Sequence, residues 1–165
     1  MSSEGYINIS NSLSHNTVLT SLDISDSCIG EGGAKAISAA LKINTTLKQL
    51  HLERCAIGAQ GFMAMAKALE VDSTLTTLFL GSNKKKLRCD GSGDVRGKAI
   101  GDALARNTVL KLLDLEDCRM FSESGLAIFK ALQTNSTLEV LKMSKNTIGD
   151  GAGRAIGDGL ARNIE

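Results

Sequence analysis

Asn44-Thr45-Thr46-Leu47-Lys48-Gln49-Leu50-His51-Leu52-Glu53-Arg54-Cys55-Ala56-Ile57 is the stretch that decides the fold. Leu47, Leu50 and Leu52 follow the pattern L-x-x-L-x-L, and its last three residues alternate apolar and polar. That alternation marks a strand with one buried face. The period then changes. Ala64, Met65, Ala68 and Leu69 fall at helical spacing, with one apolar stripe. The stretch therefore opens a strand–loop–helix unit.

The unit recurs. Asn16, Asn44, Asn107, Asn135 and Asn163 lie in register, with Asp72 filling the remaining position, at steps of 28, 28, 35, 28 and 28 residues. The apolar triplet returns as Leu19/Leu22/Ile24, Leu75/Leu78/Leu80, Leu110/Leu113/Leu115 and Leu138/Leu141/Met143. The helical stripe returns at Ala36, Ile37, Ala40 and Leu41, at Ala99, Ile100 and Leu104, at Ala127, Ile128 and Leu132, and at Ala155, Ile156 and Leu160. Ser27, Cys55, Asn83, Cys118 and Asn146 stand where the chain leaves each strand. Asn at that point bonds backbone groups that the turn leaves unpaired, whereas Cys or Ser does so only weakly. Strands pair at about 4.8 Å, while neighbouring helices need about 10 Å. A stack of such units must curve, with a parallel sheet on the concave side and helices on the convex side.

This pattern resembles the ribonuclease-inhibitor-type leucine-rich repeat family. Ile29-Gly30-Glu31-Gly32-Gly33-Ala34-Lys35-Ala36-Ile37 and Ile148-Gly149-Asp150-Gly151-Ala152-Gly153-Arg154-Ala155-Ile156 carry the likeness most clearly. It implies an α/β leucine-rich repeat solenoid of right-handed strand–helix units, cytoplasmic, that binds proteins on its concave face or rim. The expected organisation is one domain over residues 1–165. It comprises a partial unit at 1–16 and full units at 17–44, 45–72, 73–107 (with an insertion), 108–135 and 136–163. The partial unit is read as the end of a helix without its strand. Neither end shows the polar capping unit that repeat stacks normally need. A longer array, a covering partner or end-to-end self-association through the terminal repeats is therefore expected.

Bulk properties narrow the function. The formal net charge is +1, so no general attraction to nucleic acid or anionic lipid is expected. No apolar run reaches the roughly 18 residues of a membrane span, and Met1-Ser2-Ser3-Glu4-Gly5 does not open a signal peptide. Cys28, Cys55, Cys89 and Cys118 form no Cys-x-x-Cys pair, which argues against zinc and for reduced thiols. Asn44-Thr45-Thr46 and Asn135-Ser136-Thr137 match the glycosylation triplet, but both asparagines are repeat punctuation. Gly91 to Lys98 does not make a phosphate loop, because Ser92 stands where glycine is required and Ala99 replaces Ser or Thr. No cofactor, metal or catalytic set is expected, since an open sheet face does not exclude water.

Function is thereby pushed onto positions the repeat does not dictate. The strand-face positions give Asp23, His51, Phe79, Asp114 and Lys142, with Leu112 beside them and Glu53 and Glu116 just beyond. Phe79 is the aromatic of this set, and an aromatic among apolar and charged neighbours is the usual make-up of a binding hot spot. Asp114, Glu116 and Asp117 favour a basic partner. The inserted loop offers a second candidate in Lys84, Lys85, Lys86 and Arg88, four cations suited to phosphate or an acidic protein. Another protein is the expected partner. The alternatives are an activator-like regulator of a small GTPase, or a structural segment of a longer array or NOD-like sensor.

Overall fold

The computed structural model describes residues 3–84, 92–151 and 153. The order of elements is α1 (Ser3–His15), β1 (Ser21–Asp23), α2 (Gly30–Leu41), β2 (Gln49–His51), α3 (Gly58–Leu69), β3 (Thr77–Phe79), α4 (Ser92–Leu104), β4 (Leu112–Asp114), α5 (Ser122–Leu132) and β5 (Val140–Lys142). The strands form one parallel sheet in chain order. Each helix packs on the next, giving a second layer behind the sheet. The register aligns Leu22, Leu50, Leu78, Leu113 and Leu141 in one row. The 35-residue step leaves this row undisturbed, because Thr77, Leu78 and Phe79 pair with Leu112, Leu113 and Asp114. The extra length is taken up outside the sheet.

The triplets Leu47/Leu50/Leu52, Leu75/Leu78/Leu80 and Leu110/Leu113/Leu115 are wholly buried. Each such side chain gains about 1.5–3 kcal/mol on leaving water. The helices supply the opposite wall through Ile37, Met65, Ile100 and Ile128. Ala36, Ala64, Ala99 and Ala127 are only half-buried. The core stripe is therefore centred one residue later, on Ile37, Met65, Ile100 and Ile128.

Polar side chains join successive units. The main-chain amide of Asn44 closes α2 on Ala40 O at 2.8 Å. Its Oδ1 accepts from the amides of Thr46 and Leu47 at 2.9 and 2.7 Å, and its Nδ2 donates to Leu13 O and Asn16 O at 2.8 and 2.9 Å. One residue thus ends a helix, starts a strand and reaches the previous unit. Asn135 repeats all of this, donating to Leu104 O and Asn107 O. Asp72 likewise closes α3 on Ala68 O at 2.8 Å, but its side chain copies only the accepting half, from Thr74 N and Leu75 N at 2.7 Å each. A carboxylate has no hydrogen to donate where Asn offers two, and Asp72 Oδ2 is buried with no partner among the described residues.

A second ladder runs through the strand exits. Asn83 accepts from Cys55 N at 2.9 Å and Ile57 N at 3.3 Å, and donates to Leu52 O and Leu80 O. Asn146 does the same for Cys118, Met120, Leu115 and Met143. Cys55 and Cys118 make the weaker contacts their chemistry allows, donating to Ile24 O and Leu80 O at 3.2 Å. Burial pushes the Cys118 thiol up to about 12, so it is a structural thiol.

Two regions depart from the regular plan. In the long unit, Arg96 lies buried over the Phe62 ring at 5.6 Å, and its Nη1 donates to Cys118 O at 2.8 Å. In the first unit the Gly30 amide makes the corresponding bond, to Cys55 O at 2.9 Å. A guanidinium therefore does in the long unit what a backbone amide does in a short one. At the start, α1 is a full helix of 13 residues, where the partial unit at 1–16 was expected to hold only the end of one. Leu13 is buried under it, and Ser10 Oγ donates to Ala36 O at 2.6 Å. The helical side of the first unit is thus covered. Its strand side has no neighbour among the described residues, and Val18 and Leu19 are 81% and 38% exposed. The helix expected from Ala155, Ile156 and Leu160 lies outside the described residues.

Candidate protein-binding face

Alternation along each strand sends one residue into the core and its neighbours onto the open face of the sheet. Register then stacks those neighbours into rows. One row reads Ser21, Gln49, Thr77, Leu112, Val140, and the next reads Asp23, His51, Phe79, Asp114, Lys142. Beyond the strands the chain turns sharply. Asp26, Arg54, Ser82, Asp117 and Lys145 all have φ between 52° and 59°, a left-handed conformation that side chains other than glycine rarely adopt. The turn persists because Asp26, Arg54, Ser82 and Asp117 each donate their amide to a carbonyl of the next unit. The rim side chains therefore project from fixed backbone.

The sequence-selected residues converge at the centre of the face. The rings of His51 and Phe79 stack at 4.4 Å with 19° between planes. Lys142 Nζ stands 5.4 Å from the Phe79 centroid and 3.5 Å from Asp114 Oδ2. Asp114 is buried to 8% exposure, deeper than a strand-face position predicts, and its Oδ1 accepts from Glu116 N at 2.9 Å. Gly81 makes room for it, since a Cβ there would lie 3.2 Å from that oxygen. Leu112 is half-buried in the adjoining row, and Val140 is 42% exposed.

The acids divide into two groups. Asp114, Glu116 and Asp117 each have a lysine: Lys142 at 3.5 Å, Lys145 at 2.7 Å and Lys84 at 2.5 Å. Lys145 and Ser144 hold the Glu116 carboxyl below the usual carboxylate range. This trio is thus neutralised within the molecule, in contrast to its appearance in the sequence. Over β1 and β2 the balance differs. Arg54 donates two hydrogen bonds to Asp26, at 2.6 and 2.7 Å. Asp23 and Glu53 have no lysine or arginine partner among the described residues. Ser25 holds both: its amide donates to Asp23 Oδ1 and its hydroxyl to Glu53 Oε2, each at 2.9 Å. Hydrogen bonding from Ser25 also lowers the Asp23 carboxyl below its ordinary range. His51 Nδ1 lies 3.9 Å from Glu53 Oε2. Opposite charges 28 residues apart were the signal for the Asp26–Arg54 and Asp114–Lys142 pairs, because equal positions in successive units are neighbours.

Of the inserted loop, Lys84 is described and paired with Asp117, while Lys85, Lys86 and Arg88 lie outside the described residues. Among the described residues, no group of His, Cys, Asp and Glu is placed to hold a metal, and no helix is long and apolar enough to cross a membrane.

Known proteins share this pattern. The family described as Leucine Rich repeat matches residues 15–38, 44–66 and 134–157. The chain is a leucine-rich repeat solenoid. Its fold is shared with the actin-binding site 2 structure of leiomodin-1, at TM-score 0.77 and 24% identity, covering 95% of this chain and 88% of that one. The tropomodulin C-terminal domain of Caenorhabditis elegans matches at TM-score 0.74 and 15% identity, over 99% of the solenoid and 93% of that domain. In sequence, the solenoid is similar to the centrosomal protein of 78 kDa, 41% identical over 58 residues in Mus musculus and 40% in Homo sapiens. Those matches cover 35% of the solenoid but only 7% and 8% of the relatives. At these identities, the two structural likenesses concern the fold alone.

Proposed function

We propose that this solenoid is a non-enzymatic scaffold that binds a protein on its concave face, with Phe79 at the centre of the contact. The observation that carries this reading is the assembly of His51, Phe79 and Lys142 on the sheet. A ring stacked on one neighbour and approached by the cation of another is held in place before any partner arrives, so little freedom is lost on binding. Half-exposed apolar surface at Leu112 and Val140 extends the patch, and charged residues surround it. Binding hot spots combine those features. The 28-residue step supports the ribonuclease-inhibitor type of repeat, and a cytoplasmic location agrees with reduced cysteines.

Actin is the first defined partner to try, because the leiomodin-1 structure that shares this fold is an actin-binding site. Purified actin and cell extract should be passed over immobilised wild type and over Phe79→Ala. Removing a central aromatic anchor should weaken specific capture by about 30-fold, equivalent to about 2 kcal/mol. The concave-face reading fails if every specific partner survives both Phe79→Ala and Phe79→Ala/Lys142→Ala.

A further inference from the structure

Resting on that reading, we infer the chemistry of the partner: a segment carrying a basic residue about 12 Å from an aliphatic or aromatic anchor. The open face has two unlike halves. Over β3–β5 it is apolar, with Phe79, Leu112 and Val140, and each nearby carboxylate already has its own lysine. Over β1–β2 it is polar, and three carboxylates, Asp23, Asp26 and Glu53, face one guanidinium, Arg54, which is engaged by Asp26. Among the described residues, Asp23 and Glu53 thus have no lysine or arginine ion pair, and a partner's cation can supply it.

Their arrangement favours a cation over solvent alone. Like charges on adjacent strands repel. Here both carboxylates are nevertheless oriented by one residue, Ser25, through its amide and its hydroxyl. His51 lies against Glu53 and stacks on Phe79, so the acidic and apolar halves meet at one side chain. A lysine or arginine of the partner reaches Asp23 and Glu53 between β1 and β2, while its anchor rests on Phe79, Leu112 and Val140 around β4. Two and a half strand spacings separate those points, about 12 Å. A helix spans that distance in about eight residues, so the two groups fall on one face two turns apart. An extended segment covers it in about four residues.

Phage-displayed random peptides of about sixteen residues test this directly. They are selected on the wild-type domain and re-assayed by fluorescence anisotropy against Phe79→Ala and against Asp23→Asn/Glu53→Gln. All variants are first checked for a cooperative thermal transition above the assay temperature. The expected result is enrichment of Lys or Arg with an apolar residue seven or eight positions away (four if extended). Each variant should weaken such peptides by about tenfold or more, in line with loss of a hot spot or of a complementary charge. Salt should weaken binding to wild type and have little effect on the carboxamide variant. Peptides that need Phe79 but carry no basic residue, or that bind the carboxamide variant equally well, overturn the inference and leave the concave-face reading standing. Selected peptides indifferent to Phe79→Ala overturn both, as does failure to select any.

Discussion

Two adjacent rows of one sheet are built to different rules. The row of Leu22, Leu50, Leu78, Leu113 and Leu141 repeats one residue type, and its central three members are sealed from water. The row one residue later holds Asp23, His51, Phe79, Asp114 and Lys142, four residue types on the same backbone geometry. Packing explains the first: every unit must fill the same space against the same helix wall. Nothing in the stacking demands the second, so that row is free to specify a partner.

The sharpest way to break this contrast is through stability. Leu50→Ala or Leu113→Ala should cost about 2–5 kcal/mol in chemical denaturation, as buried leucines do. Next comes Asn83→Ala, which strands four backbone groups and should cost about 3 kcal/mol. Replacing Cys118 by Ala removes one weak donor and should cost less, and a reversed order would overturn the role assigned to the asparagine rungs. Asp72→Asn should act in the opposite direction, raising stability by about 1 kcal/mol as the orphaned oxygen becomes a donor. Thermal melts at neutral pH decide its sign. On the open row, Phe79→Ala should cost only about 1 kcal/mol of stability while weakening capture about 30-fold. A loss as large as at Leu50 would place Phe79 in the core instead. Smallest of all are the rim pairs. The Asp26 and Glu116 carboxyls lie below their ordinary range because Arg54 and Lys145 bond them. Their stabilisation is therefore present above the usual carboxylate range and fades as pH falls through the lowered values. NMR titration should show both carboxyls protonating late, with the delay reduced in high salt.

Much of the fold was legible because it rests on periodicity. The positions of Leu47, Leu50 and Leu52 already gave strand, face and neighbour, and the register across the long step followed from Leu78 and Leu113. The length of α1 was not legible, since Ser3 to Tyr6 match no complete unit and the helix depends on packing against α2. Arg96 was missed because a charged residue at a small-residue position reads as exposed until Phe62 and Cys118 O are placed beside it. At the candidate site, the rows of Phe79 and its neighbours were readable from spacing. The pairing of the acids was not, because Lys84–Asp117 and Glu116–Lys145 depend on how the turns aim their side chains.

The undisturbed pairing of Thr77 with Leu112 has a practical consequence. Between Lys84 and Ser92 the solenoid accepts additional polypeptide without passing the disturbance to its sheet. A reporter or a second binding module threaded in at that junction is expected to leave the pairing of β3 with β4 intact, although Phe79 and Leu112 lie on the two strands that flank it.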